Sequence, residues 1–592
     1  MVRTTPLVER VLEEVTRLGV GLVDSNVDGA FVLADLSGLD TEAAIDLLAP
    51  VHAGGHRSLS IWNRGGERFL GPWAEPRRSS CWNCCRLRFF DSVVGDGRTA
   101  IEPGPDAVRV LARNVLLAVR YPDLAPAGCV LVDDGVTSTL HSVVPMPWCE
   151  LCGGAVEMIA SSPAPPTRSL LVPTELRLLA DPRGGIVRHL YILDGQGRVD
   201  ALALPRCASA TIGPYDAGGI SFPSSNGEGK GATMEAAVGS AIGEGLERYA
   251  ASLWDPAALL YKSFDELGDQ AFDPRELVLY DREQYATPGF AFAPFDPGRA
   301  MHWVAGRWLD TGDPVALPAL ATYMNFPVEW RDQFGQTSSN GLAAGASFED
   351  AARRALYELI ERDAFMLAWL AKRPGVRLGD DGCDAVTAQA LEEVHRVGAR
   401  TELYLVDVGT EHPTVVCLGL GDGQSWPGVT VGLAAHADVD VALQRAVLEH
   451  GHCGSYIQRL MREDRHREIV APAQVTTGLD HALYYIDPSR ATALDAFRAG
   501  AGSPVPLAEM RARYRHRPTL AACVAALARA GIRAAAVDVT SPDVALAPIR
   551  VVRAFGTYMQ PIHFGVGNER LRNPRLQRWL SGPAESSPHP LA

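Results

Sequence analysis

Two stretches of the chain, SSNGEGKGATMEAAVGSAIGEGLER (Ser224–Arg248) and SSNGLAAGASFEDAARRALYELIER (Ser338–Arg362), are close copies of each other. They align without a gap at an offset of 114 residues, and 12 of the 25 positions are identical. After Thr233 and Ser347, which are candidate N-caps, both copies consist mostly of strong helix formers and contain no proline. The pattern therefore predicts two equivalent helices, each preceded by a glycine-containing segment.

The last turn of each predicted helix is rich in carboxylates. The two Glu-x-x-Glu-Arg turns contribute Glu244, Glu247, Arg248, Glu358, Glu361 and Arg362. Glutamates three residues apart lie on one face of a helix, and two carboxylates about 4 Å apart repel by roughly 4 kcal/mol at an effective dielectric constant near ~20. Two such faces can meet only with cations between them. Mg²⁺ is the expected ion, because it binds oxygen ligands and usually shares substrate phosphates.

An alternative for either turn is a solvated helix face with an intrahelical ion pair, which is common for surface Glu and Arg. The repetition in register, each time after Ser-Ser-Asn-Gly, favours a shared site instead. The glycines before the helices predict flexible backbone at a helix N-terminus, where phosphate oxygens bind well. These glycines are Gly229, Gly231, Gly341 and Gly345. GEGKG is not a P-loop, because Lys230 is followed by glycine rather than by Ser or Thr.

A third helical segment, Asp438–Glu463, carries a similar pattern. Arg445 and Glu449 lie four residues apart, on one predicted helix face. An exposed ion pair is the alternative here. Glu449 and His452 also have the Glu-x-x-His spacing of some metal-binding helix bundles, but this spacing occurs once and includes a glycine.

Composition limits the class of protein. At 592 residues the chain predicts two to four domains, and its net charge of -15 argues against a nucleic-acid binder that relies on positive charge. No signal-like segment is found, so a cytoplasmic, non-membrane protein is expected. The apolar stretch AACVAALARAGIRAAAVDV, from Ala521, predicts a helix followed by a strand. It does not predict a membrane span, because Arg529 and Arg533 interrupt it.

A Pro/Ser-rich run at residues 161–169 predicts a linker. Residues 1–160 read as a small α/β domain, with strands at FVLADL and SLSIW and a helix at TEAAIDLLAPV. Residues 170–592 read as one large domain that contains both repeats. The Pro/Ser-rich tail RWLSGPAESSPHPLA would ordinarily be frayed.

Four of the eleven cysteines form two Cys-x-x-Cys pairs in the small domain, Cys81, Cys84, Cys149 and Cys152. Four thiolates are the complement of a tetrahedral structural Zn²⁺ site. Cys85 could replace Cys84 as a ligand, and a redox Cys-x-x-Cys is the competing interpretation. The other cysteines are scattered, as in a reducing cytoplasm.

The motifs together resemble the YcaO family across residues ~170 to 592. SAIGEGLERY after GKG, then NGLAAGASFEDAARRALYELIERD, RAVLEHGHCGSYIQRL and RVVRAFGTYMQPIHFG occur in the family's order. The resemblance implies an α+β fold with a pseudo-symmetric repeat, and an enzyme that uses ATP to activate a peptide amide. The implied nucleotide ligands are Ser225, Lys230, Arg248, Asn340, Arg362 and Arg445. The implied Mg²⁺ ligands are Glu244, Glu247, Glu358, Glu361 and Glu449, and catalysis is expected from the four repeat glutamates with Arg362.

The tail PHPLA and the third motif are similar to those of azoline-forming cyclodehydratases, which convert Cys, Ser or Thr of a ribosomal precursor peptide to thiazolines or oxazolines. The tail is shorter than in fuller versions, and His452 stands where other members often carry Gln. The stretch FLGPWAEPRRSSCWNCCRLR is similar to the zinc-bearing end of E1-like partner domains, so residues 1–160 are expected to be a partial E1-like domain.

The resemblance also implies partners and products. A separate ocin-ThiF-like protein is expected to bind the leader peptide, a flavin azoline dehydrogenase is a further expected partner, and a homodimer is expected. Bacteriocins and thiopeptides are the expected kinds of product. Alternative functions are thioamide or amidine formation on the same activated amide, and a non-catalytic scaffold of such an assembly.

Overall fold

The computed structural model describes residues 6–17, 31–64, 66–76, 78–89, 108–109, 112–113, 115–116, 127–134, 136–154, 171–193, 202–463, 468–500, 502–514 and 517–591. Its α-helices are Pro6–Arg17, Thr41–Ala53, Trp82–Arg88, Met234–Ala250, Phe264–Leu267, Arg282–Ala286, Ala319–Thr322, Phe348–Leu370, Ala385–Arg396, Val439–Arg462, Gly478–Tyr484, Asp495–Arg498, Leu507–Arg513, Leu520–Arg529 and Pro574–Gln577. None of the described helices combines the length and hydropathy that a transmembrane segment requires.

The strands are β1 (Phe31–Asp35), β2 (Arg57–Arg64), β3 (Glu67–Ala74), β4 (Cys129–Asp133), β5 (Ser138–Ser142), β6 (Val187–Ile192), β7 (Arg206–Ile212), β8 (Tyr215–Ala217), β9 (Ile220–Phe222), β10 (Ser225–Gly231), β11 (Leu260–Ser263), β12 (Ala300–Trp308), β13 (Pro314–Pro318), β14 (Leu342–Gly345), β15 (Val376–Leu378), β16 (Arg400–Val406), β17 (Thr414–Leu420), β18 (Val429–Ala435), β19 (Ala534–Asp538) and β20 (Arg550–Gly556). Strands β10, β7 and β6 pair in that order, and β8 pairs with β9.

The chain forms two compact units. Unit 1 comprises residues 1–190, 210–226 and 541–548, and unit 2 comprises residues 191–209, 227–540 and 549–592. The expected linker at 161–169 lies outside the described residues, so the boundary between a small domain at 1–160 and a large domain at 170–592 stays a prediction.

Unit 1 contains a five-stranded sheet in the order β1-β2-β3-β4-β5, in which β1 and β2 are parallel. The predicted strands FVLADL and SLSIW are confirmed as β1 and as part of β2. The predicted helix TEAAIDLLAPV begins at Thr41 because Asp40 caps it, accepting a 2.8 Å hydrogen bond from the Ala43 N–H. Leu59 and Ile61 of β2 are fully buried and form the core with the first helix.

Unit 2 contains two larger sheets. One has the order β11-β12-β19-β20-β14 with β13 added at β12, and the other has the order β15-β16-β17-β18. The helix Phe348–Leu370 packs against β14 and β20 of the first sheet and against β18 of the second. The helix Val439–Arg462 packs on β17 and β18. The expected α+β class is confirmed, and so is the predicted helix and strand after Ala521.

Both repeats fold as predicted in their helical part. We name Met234–Ala250 the first repeat helix, Phe348–Leu370 the second repeat helix and Val439–Arg462 the third helix. Thr233 and Ser347 are confirmed as N-caps, with hydrogen bonds of 3.2 Å from the backbone N–H of Ala236 and Asp350 respectively. Each helix therefore begins at a local signal in the sequence.

The prediction of flexible glycine backbone before the helices is wrong for the first repeat. Gly229 and Gly231 both lie in strand β10, which is regular as far as Gly231. A Cβ atom at Gly229 would overlap the carbonyl oxygen of Ala237 on the first repeat helix. Glycine is required here because the strand and the helix backbone approach each other closely.

Candidate functional site

The first glutamate of each Glu-x-x-Glu-Arg turn is held by the strand before its own helix. Glu244 accepts a 3.1 Å hydrogen bond from the backbone N–H of Glu228, and Glu358 accepts one of 3.2 Å from the backbone N–H of Gly341. The two acceptors are equivalent positions of the repeat. The two donors are shifted by one residue, because Glu228 corresponds to Leu342 and Gly341 directly precedes β14. The duplicated sequence thus produces a similar, although not identical, arrangement at the two carboxylates.

The arginine of each turn pairs with a carboxylate of the same turn. Arg248 lies 2.5 Å from Glu244, whereas Arg362 lies 3.2 Å from Glu361 and 3.9 Å from Glu358. All of these side chains are partly exposed, with 15% exposure for Glu361. The carboxylates therefore line a surface that a ligand can reach.

The third helix joins the same site. Lys230, at the end of β10, forms an ion pair with Glu449 of the third helix. The Sγ of Cys453, one turn further on, lies 3.6 Å from the other oxygen of Glu449. The predicted connection between the third segment and the repeats is therefore present in the structure.

The acidic faces of the two repeat helices lie close together. Burial raises the pKa of Glu247 well above its usual value, and the charges of Glu358 and Glu244 raise it further. Burial also raises the pKa of Glu358, to about 7, although Arg362 opposes the rise. The pKa of Glu361 is raised by burial as well. Burial is the main cause of all three rises, and for Glu247 the charges of neighbouring carboxylates add to it.

Arg445 completes the positive charge around Glu361. Burial lowers the pKa of the Arg445 guanidinium, and the charges of Arg354 and Arg353 lower it further, whereas Glu361 raises it. The charges of Arg362 and Lys230 oppose the rise in the pKa of Glu361 that burial causes. Cations from β10 and the third helix thus surround a glutamate of the second repeat helix.

Arg553 of β20 is a site residue that the sequence reasoning missed. It is 5% exposed and donates hydrogen bonds of 2.9–3.0 Å to the carbonyl oxygens of Ala321, Ser338 and Asn340. Burial lowers its pKa to about 10, and the carboxylates of Glu358 and Glu247 oppose that fall. The available signal was a single arginine inside the apolar strand sequence VVRAFG.

Two predicted nucleotide ligands have buried polar atoms without a hydrogen-bond partner among the described residues. These atoms are Ser225 Oγ, at the start of β10, and Asn340 Oδ1, before β14. Buried polar atoms are rarely left unpaired in native proteins. Asn340 and Arg553 both line a cavity in unit 2 whose other walls include Leu320, Phe334 and Met559.

His452 is half-buried, and burial with the nearby charges of Lys230 and Arg459 lowers its pKa to about 4. Across the described ranges, the one group of three or more potential metal ligands whose donor atoms all lie within 4.8 Å of one another is a set of cysteines. The described glutamates do not form such a compact group of donor atoms. Glu244, Glu361 and Glu449 each form an ion pair with a cation instead.

That compact set is Cys81, Cys84, Cys149 and Cys152 in unit 1. Three Sγ–Sγ distances are 3.5–3.7 Å, close to the ~3.8 Å edge of a tetrahedron with Zn–S bonds of about 2.3 Å. The backbone N–H of Met146 and the amide of Asn83 point at sulfur atoms of the cluster, at 3.3 and 3.6 Å. The two Cys-x-x-Cys pairs therefore converge, and Cys84 rather than Cys85 belongs to the cluster.

The expectation of a frayed tail is wrong for the residues that precede Ala592. Pro588, His589 and Leu591 are buried, and His589 is fully so. The charge of Arg362 is near enough to lower the pKa of His589. Leu591 belongs to the same buried hydrophobic cluster as Phe365 and Leu370, so the end of the chain packs with the second repeat helix.

Comparisons with known proteins identify a matching family and several related chains. The model of a family described as YcaO cyclodehydratase, ATP- and Mg²⁺-binding, matches residues 228–556, more than half of the chain. An uncharacterized protein of Methanothermobacter thermautotrophicus is 30% identical over 224 residues, which cover 37% of this chain and 55% of that protein. The uncharacterized protein Rv1375 of Mycobacterium tuberculosis is 27% identical over 230 residues, with coverages of 38% and 48%. The chain thus spans about half the length of these curated relatives.

Solved structures show the same fold. A heterocyclase in complex with substrate and cofactor superposes with a TM-score of 0.77 at 19% identity, covering 100% of this chain and 85% of that one. The heterocyclase TruD superposes with a TM-score of 0.68 at 18% identity, covering 99% and 83%.

Proposed function

The chain belongs to the YcaO family, and from that premise we propose that it is an ATP- and Mg²⁺-dependent cyclodehydratase that forms azolines in a ribosomally made precursor peptide. The observation that carries the proposal is a set of carboxylates and cations brought together from several elements. Glu244 and Glu358 each accept a hydrogen bond from the backbone before their helices, and Lys230 forms an ion pair with Glu449 of the third helix. Burial raises the pKa of Glu247 and the charge of Glu358 raises it further, a repulsion that divalent cations would relieve. This arrangement has little use in a protein that binds no charged ligand.

The residues present suit Mg²⁺. The proposed ligands are Glu244, Glu247, Glu358, Glu361 and Glu449. Mg²⁺ usually takes one or two carboxylates together with waters and substrate phosphates, so a compact cage of protein ligands is not needed. When bound, Mg²⁺ neutralises the phosphate oxygens of ATP and makes its terminal phosphorus easier to attack.

The cations of the site suit the phosphates of ATP. Lys230, Arg248 and Arg362 pair with carboxylates of the site. Once divalent cations occupy the carboxylates, these side chains and Arg445 can turn to phosphate oxygens, which arginine binds in a bidentate manner. The unpartnered Asn340 Oδ1 is a proposed polar contact to the rest of the nucleotide. Ser225 stays a proposed nucleotide ligand from the resemblance to the family.

The proposed reaction needs no nucleophile from the protein. The thiol or hydroxyl of a substrate Cys, Ser or Thr adds to the carbonyl carbon of the preceding amide, and its proton passes to the former carbonyl oxygen. That oxygen then takes the terminal phosphoryl group of ATP, releasing ADP and losing the proton to solvent. The carbon–oxygen bond then breaks, the amide nitrogen loses its proton, and the products are a C=N bond in the ring and inorganic phosphate. Arg362, Arg445 and Arg553 would hold and stabilise the developing negative charge.

The cysteine cluster of unit 1 suits a structural Zn²⁺ ion, because four sulfur atoms leave no open coordination position. We propose that the precursor peptide is presented by a separate leader-binding protein of the ocin-ThiF-like kind. A flavin dehydrogenase that oxidises the azolines is a further proposed partner, and cytoplasmic location and dimerisation are likewise proposals.

The proposal is tested by incubating the protein with a precursor peptide, its leader-binding partner, ATP and Mg²⁺, followed by mass spectrometry. Each ring should remove the mass of one water and release one phosphate. Glu361→Gln should lower both by on the order of 10²–10³-fold, whereas Glu349→Gln, an exposed change in the first turn of the same helix, should not.

Other outcomes contradict specific parts of the proposal. Exchange of oxygen for sulfur in the presence of sulfide would indicate thioamide formation instead of azolines. Absence of ATP turnover with every peptide and partner would indicate a scaffold. Unchanged turnover in Glu361→Gln would contradict the assignment of this carboxylate to the metal site.

A further inference from the structure

The tail, which we define as Pro588–Leu591, is anchored in unit 2 by side chains far away in the sequence. Tyr485 donates a 2.6 Å hydrogen bond to the carbonyl oxygen of Pro588, and His481 donates one of 2.8 Å from Nδ1 to the carbonyl oxygen of His589. The imidazole of His589 stacks on that of His481, with ring centroids 4.0 Å apart. Both rings are almost completely buried.

The hydrogen-bond pattern fixes the protonation state of both rings. His481 donates from Nδ1 to a carbonyl oxygen, while its Nε2 accepts a 3.2 Å bond from the backbone N–H of Gly565. His589 donates from Nε2 to the carbonyl oxygen of His563 at 2.6 Å, while its Nδ1 accepts from the backbone N–H of Leu591 at 3.3 Å. An imidazolium ion has two donors and no acceptor. Each ring must therefore be neutral for all four bonds to exist.

The charges around the rings do not favour protonation of His589. Burial lowers the pKa of His589 well below its usual value, and His481, His563 and Arg362 lower it further. Burial lowers the pKa of His563 to about 3, with Arg570 contributing, although Glu569 lies 4.0 Å away. Burial lowers the pKa of His481, although Asp480 and the His589 carbonyl oppose this. No described carboxylate is in ion-pair contact with His589.

The residues just before the tail are held without histidine. The backbone N–H of Glu585 donates a 2.9 Å hydrogen bond to the carbonyl oxygen of Leu370, at the end of the second repeat helix. The Glu585 carboxylate lies 3.6 Å from Lys372. The histidine contacts therefore hold only the tail itself.

We propose that His481 is a positioning residue which, through neutral His589, holds the tail against the second repeat helix, the helix that carries Arg362, and that protonation of His589 releases the tail from that helix. This proposal concerns regulation of the site described under the proposed function and rests on that function only for its effect on catalysis. Release requires no covalent step. It exchanges the three hydrogen bonds that join the tail to Tyr485, His481 and His563, together with a ring stack, for a solvated imidazolium.

The direction of the pH effect follows from linkage. His589 is neutral in the bound tail and titrates near about 6.5 when the tail is free. The bound tail is therefore fully stable above that value and is progressively weakened as pH falls below it. Between pH 7.5 and 5.5, one group with a free pKa of about 6.5 shifts the equilibrium toward release about tenfold.

Hydrogen exchange at the backbone amides of His589 and Leu591, the two in the tail because proline has no N–H, tests the proposal on the full chain when it is read by mass spectrometry with fragmentation and corrected for the intrinsic rate. Wild-type protein should lose about tenfold protection in this segment between pH 7.5 and 5.5, while protection of β19 and β20 stays constant. His589→Gln keeps an amide donor near the Nε2 position but cannot be protonated, so its tail protection should be equal at both pH values. His395→Gln, at an exposed histidine on another helix, should behave like wild type.

His481→Phe keeps a stacking ring and removes the hydrogen bond to the tail, so tail protection should fall already at pH 7.5. Wild-type tail protection that changes less than twofold over the range would overturn the proposal, whatever the variants do. A His589→Gln variant with the wild-type pH response would also overturn it. Because the readout is exchange and not ring formation, its failure is distinguishable from failure of the proposed function.

Discussion

The two copies of the repeat share one backbone arrangement at the start of their helices. A Cβ atom at Gly231 would lie 2.8 Å from the backbone nitrogen of Ala237, and one at the equivalent Gly345 would lie 2.6 Å from that of Ala351. Both distances are shorter than normal contacts, so both positions require glycine. The duplicated sequence therefore keeps the same close packing between the strand and the start of the helix in both copies, and each of these helices ends in an acidic turn.

The copies differ further along the same strand and helix. In the first copy, Gly229 passes against the first repeat helix and Gly227 passes close to Gly245, with no room for a Cβ atom at either strand position. In the second copy the equivalents of Gly229 and Gly245 are Ala343 and Leu359, and both are buried. The strand and helix of the first copy thus pack through backbone contacts, whereas those of the second copy pack through side chains.

The charges differ in a similar way. Arg248 pairs with the first glutamate of its turn, whereas Arg362 lies nearer the second. Lys230 reaches from the first copy to the third helix, and its equivalent in the second copy is Ala344. The similar backbone of the two copies places the carboxylates, whereas the side chains that differ make the distribution of positive charge around those carboxylates asymmetric.

The largest expected effect comes from removing a carboxylate where the two copies meet. Glu247→Gln and Glu358→Gln should each lower kcat/KM for ATP-dependent ring formation by on the order of 10²–10³-fold, because each removes charge that would hold a metal ion. If the two residues act as one unit, the double variant should lose little more than either single variant. Steady-state kinetics of phosphate release measure all three.

The matched controls are Glu235→Gln and Glu349→Gln, exposed glutamates at equivalent positions in the first turns of the same helices. Each should stay within about twofold of wild type, as is usual for surface changes. Losses in the double variant that equal the product of the single losses would show two independent sites instead of one.

The next effect concerns stability and separates the two kinds of packing. Gly229→Ala forces a Cβ atom onto the backbone of the first repeat helix and should lower the free energy of unfolding by about 1–3 kcal/mol. Ala343→Gly, at the equivalent position, removes one methyl group and adds chain entropy, so it should cost roughly 0.5–1 kcal/mol. Urea unfolding followed by circular dichroism measures both, and equal losses would contradict the packing difference.

The sequence predicted local features of the site better than distant ones. Thr233, Ser347 and the spacing of the glutamates are local signals, and each was found where the pattern indicated. Arg553 was missed because nothing near it in the sequence shows that β20 runs beside two acidic turns. Sheet order and the neighbours of β20 depend on pairing between segments hundreds of residues apart, which local propensity does not encode.

The C-terminal tail is a second case in which local sequence failed to predict the structure. Proline and serine in RWLSGPAESSPHPLA lower the local preference for regular structure, and this composition is typical of a frayed end. Burial of the tail instead depends on Tyr485 and His481, about a hundred residues earlier. Composition predicts the structural preference of an isolated segment, whereas contacts with distant residues of the same chain determine its structure after folding.

The smallest expected effect links the acidic turns to pH through Mg²⁺. The pKa values of Glu247, Glu358 and Glu361 are raised, chiefly by burial, so the folded protein binds more protons than the unfolded chain until pH passes the raised values, about 7 for Glu358. Stability of the metal-free protein should therefore fall as pH rises from about 4.5 through 7. Mg²⁺ should raise the melting temperature more at pH 8, where it relieves repulsion, than at pH 6, where it competes with protons.

Glu358→Gln sharpens this test, because the amide has the size of the acid but no charge to relieve. Its melting temperature without Mg²⁺ should depend less on pH between 6 and 8, and the extra stabilisation by Mg²⁺ at pH 8 should shrink. Glu349→Gln, exposed on the same helix, should keep the wild-type response. A Mg²⁺ effect that is equal at both pH values in wild type, or unaltered in Glu358→Gln, would mean that the ion binds elsewhere and that the facing carboxylates are stabilised by Lys230 and the arginines alone.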